Sequence, residues 1–214
     1  QQCVRVSAHY VMSRCRELLD AFRISKVFLV MDGKRCPLKT DTNEERERRR
    51  QANLSEARDY QRRGRKDKAE EKYKACIKIK DDFTVAVMAE VRRHFANDSR
   101  VQLVWSPYEA DAQLTKLCVD GAAHAVITED SDVLVYSAAT HCAFPVIFKL
   151  DRQTGSCDVI SMDWLLSYDE SQPCPSTKAS SALETLLWNL ASRESRRPGF
   201  GVRLFVQGCV LAGC

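Results

Sequence analysis

Residues 101–114 have the sequence VQLVWSPYEADAQL, in which a short β-prone run passes directly into a helical signal. The run at 101–105 is apolar enough to be a buried strand. The four residues SPYE at 106–109 match a capping box with proline at the first helical position, so we predict a helix that begins at Pro107. Alternation of strands and helices is the pattern of α/β folds.

The same alternation continues on both sides of this stretch. Apolar residues recur at helical spacing in several segments, and short β-prone runs lie between those segments. The predicted helices cover about 10–22, 43–63, 66–80 and 84–95, and the further predicted strands cover 27–31, 125–128 and 146–150. This order predicts an α/β fold with a mainly parallel twisted sheet flanked by helices.

The segment from 43 to 80 differs from the rest because it is highly charged and has little apolar pattern. Gly64 separates its two predicted helices, which would form a hairpin. From Lys34 to Lys80 there are 17 Lys and Arg against 9 Asp and Glu, whereas the rest of the chain carries 16 against 20. A local basic excess supplies sequence-independent affinity for a phosphate backbone. A solvated helical surface with both signs interleaved is the commoner interpretation of a charge run, so composition leaves both open.

Acidic residues follow three of the predicted strands. Asp32 ends the first strand, Glu109 and Asp111 follow the second, and Asp130 and Asp132 follow the third. Because ligands bind outside the carboxyl ends of parallel strands, these carboxylates are predicted to meet in one cleft. Clustered carboxylates repel one another unless cations neutralise them, and hard oxygen ligands suit Mg²⁺ or Mn²⁺. Two such ions about 4 Å apart can activate a water and stabilise the leaving oxygen of a phosphodiester.

Most of these acidic residues also have a purely structural interpretation. Glu109 completes the capping box, and Asp32 could be a turn residue. Asp130 and Asp132 could favour the start of a helix through its dipole, whereas capping does not require Asp111. The structural interpretation weakens when three strand ends repeat one arrangement, and we therefore carry the metal site forward as the prediction.

Four motifs resemble those of the structure-specific 5′ nucleases, the family that includes flap endonucleases and the 5′ to 3′ exonuclease of mismatch repair. They are VFLVMDGKRCPLK at 27–39, RERRRQANL at 46–54, SPYEADAQL at 106–114 and ITEDSDVL at 127–134. PYEADAQL together with TEDSD is more similar to the mismatch-repair exonuclease than to the flap endonucleases. The resemblance runs from about Tyr10 to Leu150.

The resemblance implies a role for each residue that matches a family motif. The ligands of two metal ions, Mg²⁺ with Mn²⁺ able to substitute, would be Asp32, Glu109, Asp111, Asp130 and Asp132. Lys39 and Arg46 would act on the scissile phosphate from the base of a protruding helical arch at about 40–80. Arg49 and Arg50 would contact DNA, and they share a helix face with Arg46 at i, i+3 and i+4 spacing.

The implied activity is hydrolysis of DNA phosphodiester bonds at or near a 5′ end, nick, gap or flap. The protein would be a 5′ to 3′ exonuclease, a flap endonuclease or both, acting in DNA repair in the nucleus with repair or replication proteins as partners. The alternative is a catalytically inactive nuclease-fold protein that binds DNA or acts as a scaffold. We also considered a tetratricopeptide-like interaction module at 55–80. That interpretation is rejected because the sequence contains only one such helix pair, whereas these arrays need about three repeats.

The resemblance also implies that residues 1–214 are an incomplete catalytic domain. The family's N-terminal strand with another metal-binding Asp and its C-terminal helix-hairpin-helix region have no counterpart here. The segment LFVQGCVLAGC at 204–214 resembles the one that leads to the family's last metal-binding Asp, which would follow Cys214. A Pro- and Ser-rich stretch at about 169–181 is predicted to be a flexible insertion. We therefore expect the chain alone to bind DNA weakly and not to cut it.

Composition narrows the class of protein further. The chain is 44% hydrophobic and 29% charged, as is ordinary for a globular domain. No apolar run approaches the roughly 20 residues needed to cross a bilayer, so we expect a soluble protein with no membrane partner. Ten cysteines are scattered singly without a C-x-x-C pair, which indicates reduced thiols of an intracellular protein.

Overall fold

The computed structural model describes residues 1–34, 36–37, 40–163 and 200–212. The chain divides into two compact units, Gln1–Glu109 and Ala110–Cys214. Lys39 and the predicted flexible insertion at about 169–181 lie outside the described residues. Within the described ranges, no helix is both long and apolar enough to cross a bilayer.

The first unit contains a parallel pair of strands and four helices. Along the chain these are α1 (Gln2–Arg16), a π-helical turn (Glu17–Ala21), β1 (Val27–Met31), α2 (Thr40–Arg62), α3 (Lys66–Ala75), α4 (Asp81–His94) and β2 (Val101–Trp105). Val27 pairs with Val101 and Met31 pairs with Trp105, so the two strands end side by side. Both loops that follow the strands therefore leave the sheet at the same edge.

The core of the first unit lies between α1, α4 and the strand pair. Helix α4 carries Asp81 and Asp82 in its first turn and three basic residues in its last, which suits the helix dipole. Its apolar face packs against α1. The buried residues of this core are Ala8, Cys15, Leu19, Val27, Val87, Val91, Phe95 and Val101. Leu103 of β2 also packs against this cluster.

Helices α2 and α3 form a hairpin, hereafter the α2–α3 hairpin, with a mostly polar contact surface. Gly64 allows the reversal because its φ is +72°, in the left-handed region that glycine adopts readily. The buried side chains of the two helices are Ala57 and Ala69. Lys72 Nζ lies 2.7 Å from Glu56 Oε2, one of several polar contacts that join the helices. The predicted pair of charged helices is thus present, with a small apolar interface.

The prediction that the second charged helix extends to Lys80 is wrong, because α3 ends at Ala75. The Cys76 N–H donates to the Tyr73 carbonyl oxygen, which tightens and closes the last turn. The following Ile77 and Ile79 are 73% and 67% exposed. An alternating Ile-Lys sequence has no single helical face to bury, so continuing the helix would gain little.

The second unit combines a small mixed sheet with three described helices. Its elements are α5 (Ala110–Val119), β3 (Val126–Ile127), α6 (Asp132–Ala139), β4 (Val146–Phe148), β5 (Asp158–Ile160) and α7 (Phe200–Ala212). β3 pairs with β4 in parallel, and β5 pairs with β4 in antiparallel orientation. Cys118, Val126, Val133, Phe144 and Val146 form one core, and α7 adds Val202 to a smaller core with Ala138 and Met162.

The predicted α/β class is confirmed, and several boundaries are corrected. Two of the three described strand pairings are parallel. The helix predicted from Pro107 instead begins at Ala110. The predicted strands at 125–128 and 146–150 are shorter. Strand β5 was not predicted, and a helix at α6 was considered only as the structural alternative for Asp130 and Asp132. Pro107 lies outside the helix, and its carbonyl oxygen accepts a hydrogen bond from the N–H of Lys34 in the loop after β1.

Candidate metal and nucleic-acid site

A pocket of 940 Å³ lies in the first unit at the ends of its two strands. Asp32 directly follows β1, and Glu109 ends the short loop that follows β2. Both residues line the pocket, so the structure brings together the two predicted acidic ligands of this unit. The volume falls in the range of about 300–1,000 Å³ that is usual for small-molecule sites.

Two backbone hydrogen bonds tie the loop after β1 to the loop after β2. The Gly33 N–H donates to the Tyr108 carbonyl oxygen at 2.6 Å, and the Lys34 N–H donates to the Pro107 carbonyl oxygen at 3.0 Å. At Gly33 the two loops lie too close together for a side chain to fit between them. A Cβ on residue 33 would lie 1.8 Å from the Ser106 carbonyl oxygen. Glycine at this position therefore permits the approach that puts Asp32 beside the second loop.

Ser106 strengthens the same junction from the interior. Its side chain is buried, and its backbone N–H donates to the Met31 carbonyl oxygen at 2.9 Å. The Ser106 hydroxyl lies 2.7 Å from that same oxygen and 3.0 Å from the Tyr108 carbonyl oxygen. Because buried polar groups are costly unless they are hydrogen-bonded, these contacts fix the start of the second loop.

The pocket has charges of both signs as well as an apolar part. Its charged lining residues are Asp32, Lys34, Arg46, Asp81 and Glu109. Its uncharged lining includes Cys36, Ile79, Trp105 and Pro107. Two basic side chains beside two strand-end carboxylates suit a phosphate that is bound together with a cation. The sequence analysis did not identify Lys34, Asp81 or Trp105 as pocket residues.

Arg46 is the predicted phosphate contact that the structure places in this pocket. It extends from α2, is exposed, and lines the pocket that also contains Asp32 and Glu109. In the part of the chain that the structure describes, neither Arg46 nor Arg49 forms an ion pair. Their charges are therefore available to an anion. Lys39, the other predicted phosphate contact, is outside the described residues.

Arg50 differs from its neighbours because a carboxylate already engages it. Its guanidinium donates to Glu47 Oε2 at 2.5 Å and 3.2 Å, and Lys78 Nζ lies 3.7 Å from the same oxygen. The hydrogen bond from Arg50 and its charge, followed by the charge of Lys78, lower the pKa of Glu47. Arg48 is likewise paired, with Glu45 at 2.9 Å. The predicted DNA contact by Arg50 would therefore have to compete with an existing ion pair.

The second unit presents its predicted ligands at the starts of two helices. Asp111 lies in the first turn of α5, and Asp132 begins α6. The Asp132 N–H donates to Asp130 Oδ1 at 3.0 Å, and the Asp130 N–H donates to Thr128 Oγ1 at 3.0 Å. The structural role foreseen for Asp130, support of a helix start, is thus present in the structure. It uses one carboxylate oxygen and leaves the other for a different ligand.

The neighbouring Glu129 has a separate task. Its Oε1 accepts a hydrogen bond from the Lys149 N–H at 2.9 Å, which connects the loop after β3 to the end of β4. Lys149 has a φ of +50°, uncommon for a residue with a side chain. This hydrogen bond gives Glu129 a structural role, and Glu129 is not among the predicted ligands.

Whether the site could hold a divalent metal ion depends on the side chains that would bind it. Among the described residues, no three His, Cys, Asp or Glu side chains are gathered as a metal site. Asp32 and Glu109 give one pocket two hard oxygen donors, which fit Mg²⁺ or Mn²⁺. The participation of Asp111, Asp130 and Asp132 in the same site stays a prediction from the sequence.

Comparison with known proteins gives the class to which this chain belongs. The model of the XPG I-region family matches residues 100–214, which is more than half of the chain. The chain therefore belongs to the XPG I-region family. The matched region begins just before β2 and contains four of the five predicted metal ligands, the exception being Asp32.

Individual relatives carry the names of exonucleases. Exonuclease 1 of Oryza sativa is 29% identical over 189 residues, covering 88% of this chain and 18% of the relative. Exonuclease 1 of Danio rerio is 34% identical over 151 residues, covering 69% and 17%. Exodeoxyribonuclease 1 of Schizosaccharomyces pombe is 32% identical over 135 residues, covering 63% and 22%. The chain thus spans about a fifth of these relatives, and its predicted kinship with 5′ nucleases is confirmed.

One solved structure is also similar, the catalytic core of Rad2 in complex with a DNA substrate. The identity is 21% and the TM-score is 0.46, with 72% of this chain and 39% of that chain covered.

Proposed function

We propose that this chain is part of the catalytic domain of a divalent-metal-dependent 5′ nuclease that hydrolyses DNA phosphodiester bonds at or near 5′ ends. The observation that carries this proposal is the pocket in which Asp32 and Glu109 lie together with Arg46. Membership of the XPG I-region family and the exonuclease relatives support the same conclusion. The activity is proposed for the whole protein, since the chain covers 18% and 17% of these two relatives.

Each predicted ligand has a place in this proposal. Asp32 and Glu109, which line one pocket, would hold metal, and Asp111, Asp130 and Asp132 would be further metal ligands by resemblance to the family. Bound Mg²⁺, or Mn²⁺ in its place, would activate a water for attack on the phosphorus and stabilise the leaving oxygen. The hydrogen bonds of Gly33 and Ser106 would keep Asp32 and Glu109 in position.

The basic residues would place the phosphate. Arg46 would contact the scissile phosphate from within the pocket, and Lys39 would assist it by analogy with the family. Arg49 would bind a neighbouring phosphate, and Arg50 would do so after leaving Glu47. Lys34 also lines the pocket, and its charge supports the same anion. None of these contacts reads a base, so the binding would be independent of sequence.

The proposed substrates are DNA molecules with a 5′ end, nick, gap or flap. The names of the relatives favour exonuclease action. The 5′ to 3′ direction, and flap cleavage as a second mode of the same site, follow from the resemblance of the sequence motifs. Action in DNA repair, location in the nucleus and association with repair or replication proteins belong to this proposal.

The test is a cleavage assay on the full-length product of the gene, with 5′-recessed duplex DNA and Mg²⁺. Asp32→Asn and Asp130→Asn each remove a ligand charge while keeping side-chain size. We expect each to lower the cleavage rate by about 100-fold or more, because metal contributes several kcal/mol of transition-state stabilisation. Asp120→Asn is the matched control, since that exposed carboxylate pairs with Lys116 and is not a predicted ligand. Unchanged cleavage by Asp32→Asn would contradict the proposal.

The same assay addresses the catalytically inactive alternative. A scaffold would bind the duplex with strong salt dependence and release no nucleotides with either Mg²⁺ or Mn²⁺. If the unsubstituted full-length protein gave that result, the scaffold interpretation would replace the nuclease interpretation.

A further inference from the structure

Trp105 occupies an unusual position for so large an apolar side chain. It is the last residue of β2, and its indole is 40% exposed, whereas Val101 at the other end of the strand is 6% exposed. The core of the first unit takes Val101 and Leu103 from this strand. Trp105 instead lines the pocket that contains Asp32 and Glu109.

The surroundings of Trp105 form the apolar part of that pocket. Ile79, which is 67% exposed, lines the same space, as does Pro107. The carboxylates and Arg46 form the polar part. A nucleotide has the same two characters, an anionic phosphate and a flat base with an apolar face. The pocket therefore offers a place for each half of one nucleotide.

The geometry points to Trp105 as the base-contacting residue of this pocket. Its indole would stack on the base of a DNA nucleotide whose phosphate lies at Arg46, with Ile79 packing beside that base. This inference rests on the proposed function, since it names how that site holds the nucleotide. Stacking on an aromatic side chain tolerates every base because every base has a π face. The contact thus adds affinity without sequence preference.

The test compares a short 5′-phosphorylated single strand with an abasic strand of the same length. The two strands carry the same phosphates and differ in the bases alone. Binding to the 214-residue chain is measured at low salt with Ca²⁺, a cation with the same preference for oxygen ligands that neutralises the pocket carboxylates. We expect the strand with bases to bind about tenfold more tightly. Trp105→Val should abolish this difference, and Trp105→Phe should keep part of it.

Tyr108 provides the matched control. It is an aromatic residue of the same loop and is 49% exposed, but it is not among the described residues that line the pocket. Tyr108→Leu should keep the full difference between the two strands. A thermal melt of each variant, followed by circular dichroism, checks that the chain stays folded.

Fluorescence gives a second readout that does not depend on replacing Trp105. With Trp164 and Trp188 changed to Phe, the remaining indole should be quenched by the strand with bases and not by the abasic strand. A preserved preference in Trp105→Val, or an unquenched indole in the bound state, would overturn the inference. Equal affinity of the unsubstituted chain for the two strands would overturn this inference alone, whereas absence of cleavage by the full-length gene product would overturn the proposed function and this inference with it.

Discussion

Gly33 shows how a single residue sets the geometry of the pocket. A Cβ at this position would meet the Ser106 carbonyl oxygen at 1.8 Å and the Pro107 carbonyl oxygen at 2.8 Å. Both atoms belong to the backbone and cannot rotate away. The Gly33→Ala variant should therefore push the two loops apart and separate Asp32 from Glu109.

The free energy of unfolding measures this effect. We expect Gly33→Ala to lower it by about 1–3 kcal/mol, as overpacking usually does. Gly208→Ala is the matched control, because a Cβ there meets nothing within 4 Å inside α7. That variant should be neutral or more stable, since alanine is favoured over glycine in a helix. Equal urea midpoints for the two variants would show that the approach at Gly33 is not tight.

The arginines of α2 differ in whether a carboxylate already holds them. Arg46 lines the pocket, whereas Arg48 pairs with Glu45 at 2.9 Å. A phosphate contact by Arg46 would release counterions when DNA binds. We expect Arg46→Ala to reduce the slope of log affinity against log salt by about 1, with a smaller change for Arg48→Ala. Equal slopes for both variants, measured by fluorescence anisotropy, would remove Arg46 from the phosphate site.

Two buried thiols give a prediction about pH. Burial raises the pKa of Cys15 and that of Cys118 to about 11, against an ordinary value of 9.0. At pH 8 iodoacetamide should label the exposed Cys3 and Cys157 in the folded chain and spare the buried pair. Because the folded state keeps these protons longer than the unfolded state, stability should fall as pH rises from about 9 to 11. Rapid labelling of Cys15 at pH 8 would contradict this burial.

At the scale of elements, the α2–α3 hairpin is held mainly by polar contacts. Its buried side chains are Ala57 and Ala69, and Lys72 pairs with Glu56 while the Tyr73 hydroxyl donates to Gln61 Oε1 at 2.6 Å. Such an element opens at a low free-energy cost. We expect its amides to exchange hydrogen faster than those of β1, and to exchange faster still as salt screens the ion pairs. Protection equal to that of β1 would contradict the expectation that the hairpin opens easily.

The elements predictable from sequence are those whose signal is local. The apolar run at 27–31 and the helical spacing at 84–95 appear in the structure as β1 and α4. The true start of α5 could not be predicted from local sequence. It depends on hydrogen bonds that Pro107 and Tyr108 accept from the loop after β1, about 75 residues earlier. The strand β5 is exposed throughout and becomes a strand only by pairing with β4. The short helix α6 lacks a clear apolar stripe.

At the scale of the whole molecule, the candidate site was predictable in part. Strand-end carboxylates are visible in the sequence, and Asp32 and Glu109 do line one pocket. The contributions of Trp105 and Lys34 were not visible, because an exposed Trp at a strand end and one more Lys in a basic segment carry no signal of their own. Their roles depend on where the tied loops place them.

The central claim is that the predicted carboxylates, Asp32, Glu109, Asp111, Asp130 and Asp132, hold divalent metal. The most direct measurement is a Mn²⁺ titration of the full-length gene product, with free Mn²⁺ followed by electron paramagnetic resonance. We predict two bound ions, with weaker or missing binding in Asp32→Asn and in Asp130→Asn, and unchanged binding in Asp120→Asn. Mn²⁺ binding of unchanged number and affinity in both Asp32→Asn and Asp130→Asn would contradict the claim.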